Sequence, residues 1–471
     1  MKHQLLFLFD FVLPNIVLQN AMPPEMGIVN YLNTLFSDRL TENTFFEENL
    51  EADNGPMKLV FGDSLGTWPN SLRHGRSHLN HSYFKDIVEI TENSLFFGRQ
   101  NVRGYVYPIK VSPHFNEFTG HARVGSRLNG EYFWKHISER ALKDIKDRKA
   151  VIFLDWGQEN FIEKHQYDNL HYGLRRSGIP KEQIILAINS FNAKEVYESW
   201  YAPHERLLEV HNWPFLLNII TSSVRWSPES YSTLDDFNKS RNTIRKNYFL
   251  FKIHRPREYR VALLQRMSSD NLLSKADWSC LDNVPEHVWQ ESANKYRIEF
   301  NPNAIENLKP QIPHTLQDEP NSNFGNIGGW KDPSLEPYRN SYFYVCTEAD
   351  FGKYGYKSLS EKIFKPIVNF QPFVFASYKG ALQLLRDLGF KTFSPYIDES
   401  YDDEPDEAKR LDMIYTEIKK LCAMDINSLH NWYWSMEETL LHNRNHLLTI
   451  YETEPNIRNL IKCLYDKSNP I

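Results

Sequence analysis

The sequence predicts an α/β protein with two halves, each a parallel sheet covered by helices. Continuous apolar strands alternate with helix-like patterns in both halves, which is typical of a parallel sheet buried on both faces. A polar, basic stretch at residues 222–247 separates the halves and reads as an interdomain connection. With 471 residues, 41% hydrophobic and 24% charged, the chain has room for two or three domains. This balance excludes disordered, collagen-like and coiled-coil proteins.

The first half begins with an apolar segment, Leu5–Leu18, that is interrupted by Asp10 and Pro14. We interpret it as a buried strand and not as a signal peptide. In Glu131–Asp147, apolar residues recur every fourth position, which predicts an amphipathic helix. The other elements expected here are the strands Lys58–Gly62, Ala150–Asp155 and Gln183–Asn189 and the helix Ala193–Tyr201.

The second half repeats the alternation around a loop-rich stretch, Pro302–Pro337. We expect domains at 1–225 and 240–425 and a helical tail at 426–471. The expected strands are Tyr248–Ile253, Tyr342–Thr347 and Phe373–Ala376, and the expected helices are Tyr259–Met267, Ser360–Asn369, Ala381–Leu388, Lys409–Leu421 and Ile426–Leu464. Ligands of open α/β sheets bind beyond the carboxyl ends of the strands, so the loops after Asp155, Ile253 and Thr347 should carry the chemistry.

Charge and cysteine usage narrow the class of protein. The formal net charge of −6 does not favour nucleic-acid binding by the molecule as a whole, although a local basic patch remains compatible with it. The four cysteines, at 280, 346, 422 and 463, lie far apart without a Cys-x-x-Cys pair, which favours reduced, buried thiols over disulfides or a zinc knuckle. No apolar run reaches about 18 residues, so we expect a cytoplasmic protein without a membrane span.

The strongest local signal is the basic segment Lys239–Arg266, with nine Lys and Arg against one acid, Glu258. Lys252 ends an apolar strand, and Arg255, Arg257 and Arg260 follow where a helix begins. Guanidinium groups next to helix N-terminal N–H groups are suited to phosphate oxygens. The alternative is a solvated basic face.

A second signal follows the strand Tyr342–Thr347. Glu348 stands at the strand end, and Ser360, Glu361 and Lys362 begin the next helix. Ordinary helix capping explains Ser360 and Glu361. It does not explain Glu348, which would hold ribose hydroxyls while Lys362 neutralises a diphosphate.

The order Glu348, Ser360-Glu361-Lys362 and Pro372-Phe-Val resembles the nucleotide-sugar domain of the α-1,3-fucosyltransferase family. The text at 372–401 and the Arg-Pro-Arg segment are similar to glycosyltransferase-like proteins of phages and large viruses. The resemblance covers roughly residues 245–425. It implies a GT-B fold, with two Rossmann-like domains around a cleft, C-terminal helices, and a donor held mainly by the second domain. The loop between Glu348 and Lys362 is much longer than in fucosyltransferases, so donor identity does not transfer.

The sequence contains no Asp-x-Asp triplet, which argues against a metal-held diphosphate. The acidic stretch Asp398–Glu407 is expected to be a solvated loop or helix cap. Inverting transfer needs a base for the acceptor hydroxyl, and the candidates at the first domain's strand ends are Asp155, Glu159 and Asp63. Each is equally compatible with a turn or an N-cap.

These observations predict a metal-independent glycosyltransferase without a cofactor, which moves a sugar from a nucleotide-diphosphate sugar to an acceptor hydroxyl. The acceptor would be a glycan or a modified base in phage DNA. The alternative is a glycan- or nucleic-acid-binding protein that kept the fold and lost catalysis.

Overall fold

The computed structural model describes the strand residues 5–9, 11–12, 58–59 and 88–92. It also describes residues 104–110, 139–156, 162–214, 216–217, 220, 224, 228–316, 334–352, 355–453 and 455–468. The chain divides into two compact units. Unit 1 comprises Met1–Phe215 and Pro455–Ile471, and unit 2 comprises Leu216–Glu454.

Unit 1 contains a six-stranded parallel sheet in the order β4-β1-β5-β6-β7-β8. Every residue of β7 is Ile, Leu or Ala and is buried, and residues 150–154 of β6 are buried as well, as expected of a sheet covered on both faces. A short antiparallel pair, β2 and β3, stands apart from it. The strands are β1 (Leu5–Phe9), β2 (Phe11–Val12), β3 (Lys58–Leu59), β4 (Val88–Glu92), β5 (Tyr105–Lys110), β6 (Ala150–Trp156), β7 (Ile184–Ile188) and β8 (Glu209–Asn212), and the first helices are α1 (Glu139–Lys146), α2 (Lys164–Ser177) and α3 (Ala193–Trp200).

Unit 2 contains a four-stranded parallel sheet in the order β10-β9-β11-β12. The central strand β11 is buried at every position. The strands are β9 (Asn247–Ile253), β10 (Ala276–Cys280), β11 (Ser341–Thr347) and β12 (Phe373–Ala376). The helices are α4 (Leu234–Lys239), α5 (Glu258–Ser269), α6 (Glu286–Lys295), α7 (Pro302–Leu308), α8 (Glu336–Asn340), α9 (Glu361–Val368), α10 (Ala381–Asp387), α11 (Glu407–Cys422), α12 (Ile426–Trp434) and α13 (Glu437–Thr453). The fold class predicted from the sequence, α/β with two Rossmann-like parallel sheets, is confirmed.

The C-terminal residues differ from the expected helical tail at 426–471. Helices α12 and α13 pack within unit 2, against β11 and α9. The last helix, α14 (Pro455–Ser468), belongs to unit 1 and packs against β6 and β8. Its apolar residues Leu460 and Leu464 are fully buried there. The tail is therefore two segments, each buried by a different unit.

The stretch expected to connect the domains, 222–247, is also largely built into unit 2. Thr233 begins α4 with a capping box that includes Asp236. Arg245 is buried, and its Nη1 donates to the carbonyls of Tyr338 at 3.2 Å and Ser341 at 2.6 Å. The polar, basic composition predicted an interdomain connection here, but Arg245 is a packing residue next to β11. The division between the units falls earlier than expected, after Phe215.

The stretch expected to be loop-rich after Pro302 begins with helix α7. Asn301 is its N-cap, accepting a hydrogen bond from the amide of Ala304 at 3.1 Å, and Pro302 occupies the first turn. Proline there costs no backbone hydrogen bond, because the first N–H groups of a helix have no partner inside it. Pro302 therefore marks a helix start and not a loop.

Among the helices that the structure describes, none is long and apolar enough to cross a membrane. Cys280, Cys346 and Cys422 are free and buried, as expected, whereas Cys463 is only half-buried.

Asn301→Ala should lower the free energy of unfolding by about 1 kcal/mol, because the amide of Ala304 loses its capping acceptor. Denaturant titration of the full chain measures this. Asn303→Ala, at an exposed position of the same helix, is the control and should leave stability unchanged or slightly higher. Equal losses in the two variants would contradict the capping role.

Candidate functional site

The carboxyl ends of β9, β10 and β11 lie side by side, because these strands are parallel neighbours. A polar residue lies one or two positions beyond the end of each strand. His254 follows β9, Asp282 lies two residues beyond β10, and Glu348 follows β11. The helices α5 and α9 also begin at this edge, so their N-terminal N–H groups face it. We call this group of strand and helix ends the carboxyl edge of unit 2.

Arg260 holds the end of β11 in place. It is 3% exposed, and its Nη2 donates to the carbonyls of Thr347 at 3.1 Å and Glu348 at 2.5 Å. Its Nη1 donates to the carbonyl of Arg255 at 3.1 Å. The hydroxyl of Tyr259 receives a hydrogen bond from Arg260 Nε and donates to the same Glu348 carbonyl. The guanidinium that the sequence suggested for diphosphate binding thus donates to backbone carbonyls inside the unit.

Glu348 anchors the start of α9. Its carboxylate oxygens accept hydrogen bonds from the amides of Ser360 at 2.8 Å and Ala349 at 3.1 Å. It is 1% exposed, and this burial raises its pKa although the nearby Lys362 opposes the shift. The carboxylate that the sequence suggested for ribose binding is thus covered, and it connects the end of β11 to the start of α9.

The first residues of α9 carry the accessible charges. Ser360 is the N-cap predicted from the sequence, and its Oγ accepts from the amide of Lys362 at 3.3 Å. Lys362 Nζ lies 2.7 Å from a carboxylate oxygen of Glu361, and the two side chains are 29% and 16% exposed. Burial alone would lower the pKa of Lys362, but the carboxylates of Glu361 and Glu348 outweigh it and raise this pKa above its ordinary value. Lys362 is thus a half-buried ammonium group that is protonated at neutral pH.

His254 was not assigned a role from the sequence, although it stands inside the basic segment. Burial lowers its pKa, and the cations Arg255 and Lys362 lower it further, while Asp282 opposes them. The Nε2 atom of His254 lies 3.8 Å from a carboxylate oxygen of Asp282. At neutral pH the imidazole is therefore uncharged. Its position directly after a continuous apolar strand was the available signal.

Arg410 organises the neighbouring loops as Arg260 organises β11. It is 2% exposed, and its guanidinium donates to the carbonyls of Ser377 at 3.1 Å, Phe351 at 2.5 Å and Glu404 at 2.7 Å. Ser377 directly follows β12. Two buried arginines thus fix the backbone at the ends of two adjacent strands.

The remaining residues predicted to bind the donor substrate differ in position and exposure. Arg255 is exposed at the carboxyl edge, and Arg257 is half-buried as the residue that precedes α5. Lys252 lies within β9, with its ammonium 5.7 Å from the ring centroid of Tyr338, which ties it to α8. Arg255, Arg257 and Lys362 are thus cations at this edge whose side chains are exposed or partly exposed.

The predicted bases cannot be placed in the same detail. Asp155 is the penultimate residue of β6 in unit 1, paired with Ala187 of β7, and its side chain lies outside the described residues. Glu159 and Asp63 lie outside the described residues entirely.

The acidic stretch Asp398–Glu407 serves as helix caps, one of the two expected alternatives. Asp402 accepts from the amides of Leu382 and Gln383, both at 3.0 Å, at the start of α10. Asp406 caps α11 by accepting from the amide of Lys409 at 2.8 Å.

A separate groove of about 1060 Å³ lies between the C-terminal end of α5 and helix α11. Its cations are neutralised by ion pairs, such as Arg266 with Asp412 at 2.8 Å and Lys419 with Asp270 at 2.7 Å. Because α5 runs back from the carboxyl edge, this groove lies at its far end. It does not add charge to the candidate site.

No family model and no curated protein sequence matches the chain. Solved structures similar to it include an α,α-trehalose-phosphate synthase (UDP-forming) from Burkholderia vietnamiensis, at 12% identity and TM-score 0.36, covering 98% of this chain and 99% of that one. An α,α-trehalose 6-phosphate synthase from Burkholderia multivorans matches at 9% identity and TM-score 0.37, with 98% of each chain covered. The N-terminal domain of a trehalose-6-phosphate phosphatase from Candida albicans matches at 9% identity and TM-score 0.38, with 97% of each covered. At these scores the likenesses assign no activity to this chain.

Arg260→Met should lower the free energy of unfolding by on the order of 3 kcal/mol, because the buried carbonyls of Thr347 and Glu348 lose their donor. Arg255→Met, at an exposed position five residues earlier, is the matched control and should change stability by less than about 0.5 kcal/mol. Denaturant titration measures both. A small loss for Arg260→Met would show that the guanidinium does not hold β11.

Proposed function

We propose that unit 2 binds a nucleotide-diphosphate sugar at its carboxyl edge, and that the protein transfers the hexosyl or pentosyl group to an acceptor hydroxyl. The observation that carries this proposal is Lys362, a half-buried ammonium at the N-terminus of α9 whose pKa is raised by two carboxylates. A protonated group of this kind, close to helix N-terminal N–H groups, is suited to a diphosphate leaving group. A GT-B enzyme has two Rossmann-like domains, which is consistent with the two parallel sheets.

The charges at the edge support diphosphate binding without a metal ion. The carboxylate of Glu361 already balances the charge of Lys362. The diphosphate therefore also needs the charges of Arg255 and Arg257. These guanidiniums follow β9, the strand next to β11, and lie at the start of α5. Forked guanidinium donors bind phosphate oxygens in the ground state, whereas the ammonium contributes most as charge builds on the leaving group. In this proposal no divalent cation is required.

Glu361 takes the role that the sequence suggested for Glu348. Its carboxylate is 16% exposed, whereas Glu348 is 1% exposed and accepts two backbone hydrogen bonds. Burial would raise the pKa of Glu361, but Lys362 and Lys365 outweigh it and lower this pKa, so the group is ionised. An ionised carboxylate next to the diphosphate site can accept hydrogen bonds from both ribose hydroxyls. Glu348 and Ser360 then position α9.

The acceptor belongs to unit 1 in this proposal. One of Asp155, Glu159 and Asp63 takes the proton of the acceptor hydroxyl as the sugar carbon becomes cationic. The acceptor is a glycan or a modified base in DNA. If the acceptor is DNA, activity should fall steeply as the salt concentration rises. Protein cations that bind the DNA phosphates release counterions, and added salt opposes that release. Free, buried thiols support a reducing compartment such as the cytoplasm, that of the host if the protein is viral.

The direct test is transfer of labelled sugar from a panel of UDP-, GDP-, CDP- and dTDP-sugars to glycan and DNA acceptors, in the presence of EDTA. Turnover with at least one donor supports the proposal. Donor binding without turnover on any acceptor would favour the non-catalytic binding protein. Failure to bind any of these nucleotides would contradict both.

Lys362→Ala should lower kcat by about 10²–10³-fold, because it removes charge stabilisation of the departing diphosphate. Donor affinity should fall less, since Arg255 and Arg257 remain. Lys246→Ala is the matched control, because this exposed lysine of the same basic segment precedes β9 and lies at the opposite edge of the sheet. Loss of rate in the control, or full rate in Lys362→Ala, would contradict the assignment.

Donor binding should strengthen as the pH falls from about 7.5 to 5.5. A bound diphosphate raises the low pKa of His254, so protonation and binding favour each other. Because one proton is coupled to binding, the affinity should gain at most about tenfold for each pH unit. Calorimetry with a nucleotide sugar, whose diphosphate does not titrate in this range, measures the effect.

His254→Gln should flatten this pH profile, whereas His287→Gln, at an exposed position of α6, should leave it unchanged. A pH dependence that survives in His254→Gln would place the titrating group elsewhere.

A further inference from the structure

The return of α14 to unit 1 brings three different donor atoms together at the edge strand β8. Glu209 and His211 lie two residues apart on β8, on one face of the strand. Cys463 comes from α14, and its Sγ lies 3.0 Å from Oε1 of Glu209. The Nε2 atom of His211 lies 3.2 Å from the same oxygen. All three donor atoms lie within 4.8 Å of one another.

This arrangement is close to that of a metal site. Zinc bonds of roughly 2.0–2.3 Å place the atoms of a tetrahedral ligand set about 3.4–3.6 Å apart. The two distances to Glu209 are a few tenths of an ångström shorter, so small rotations of half-buried side chains would admit the ion. A thiolate, an imidazole and a carboxylate together favour Zn²⁺ over Mg²⁺ or Ca²⁺, which prefer oxygen ligands alone.

The carboxylate of Glu209 also forms an ion pair with a lysine of α14. Lys467, one turn beyond Cys463 on α14, has its ammonium 2.7 Å from Oε2 of Glu209. This ion pair uses the oxygen that the thiol and the imidazole do not contact, so Oε1 remains turned toward them. Glu209 is thereby oriented from one side by the lysine and presents its other oxygen to the two remaining ligands.

We propose that Glu209, His211 and Cys463 bind a Zn²⁺ ion, with water in the fourth position. Binding replaces the S–H bond of Cys463 by a Zn–S bond and releases the thiol proton to solvent. Because the ligands come from β8 and α14, the ion cross-links the last helix to the sheet of unit 1. The site is separate from the proposed donor site in unit 2. The sequence contains no zinc motif for this site, because Cys463 lies 254 residues beyond Glu209 along the chain.

The test is titration of the metal-free full chain with Co²⁺ and Zn²⁺. Co²⁺ should produce a near-ultraviolet thiolate-to-metal charge-transfer band in the wild type that is absent in Cys463→Ser and reduced in His211→Gln. Zn²⁺ at 100 times its Kd should shift the folding equilibrium of the wild type about 100-fold toward the folded state, and this shift should appear as a higher thermal midpoint. His165→Gln is the matched control, because His165 lies 3.3 Å from Glu163 at the same two-residue spacing without a cysteine. It should behave as the wild type.

Alkylation keeps the proposal testable if a variant fails to fold. In the wild type, Zn²⁺ should slow alkylation of Cys463 by iodoacetamide at least tenfold, as read by mass spectrometry of the peptide. Unchanged alkylation, a Co²⁺ band that persists in Cys463→Ser, or an equal effect of His165→Gln would overturn the proposal.

Discussion

The candidate site depends on the buried guanidinium of Arg260. A carbonyl at the end of a strand has lost its ladder partner and needs a donor when it is buried. Arg260 supplies donors to two consecutive carbonyls, those of Thr347 and Glu348, and so fixes the direction in which the chain leaves β11. That direction determines where the Glu348 carboxylate meets the amide of Ser360, and hence where α9 begins. The position of Lys362 follows from this chain of contacts.

Hydrogen bonding to backbone carbonyls also explains why Arg260 and Arg410, although charged, can be buried near this edge. A buried guanidinium is stable only when its donors are satisfied, and Arg260 and Arg410 achieve this with backbone carbonyls. Lys362 is different, because its charge is balanced by two carboxylates and part of its surface remains accessible. Fixed backbone and a partly balanced, accessible charge together form a preorganised anion site, which is what electrostatic stabilisation of a leaving group requires.

Much of the fold could be predicted from the sequence, because its buried strands are continuous runs of apolar residues. Continuous apolar runs predicted β6, β7, β9, β11 and β12 to within one or two residues, since burial on both faces leaves few other sequences possible. The N-cap role of Ser360 followed from its side-chain chemistry. The return of α14 to unit 1 could not be predicted, because its apolar face specifies burial but not the partner.

The site was predicted less well for a related reason. Arg255, Arg257 and Arg260 are equivalent as charges in the sequence, yet one is exposed and another is buried. The difference depends on where α5 begins and which of its faces packs on the sheet, and charge counting contains no such information. Glu348 was likewise expected to be open to a ligand. Its hydrogen-bond donors are the backbone amides of Ala349 and Ser360, and a sequence motif carries no information on backbone contacts.

Amide hydrogen exchange, followed by mass spectrometry with and without a saturating nucleotide sugar in EDTA, tests the central claim most directly. The account predicts slower exchange in the peptides that cover residues 254–260, 348–352 and 355–362, since the ligand covers these segments at the carboxyl edge of unit 2. Slower exchange confined to the groove between α5 and α11, or unchanged exchange at the carboxyl edge despite measurable binding, would contradict it.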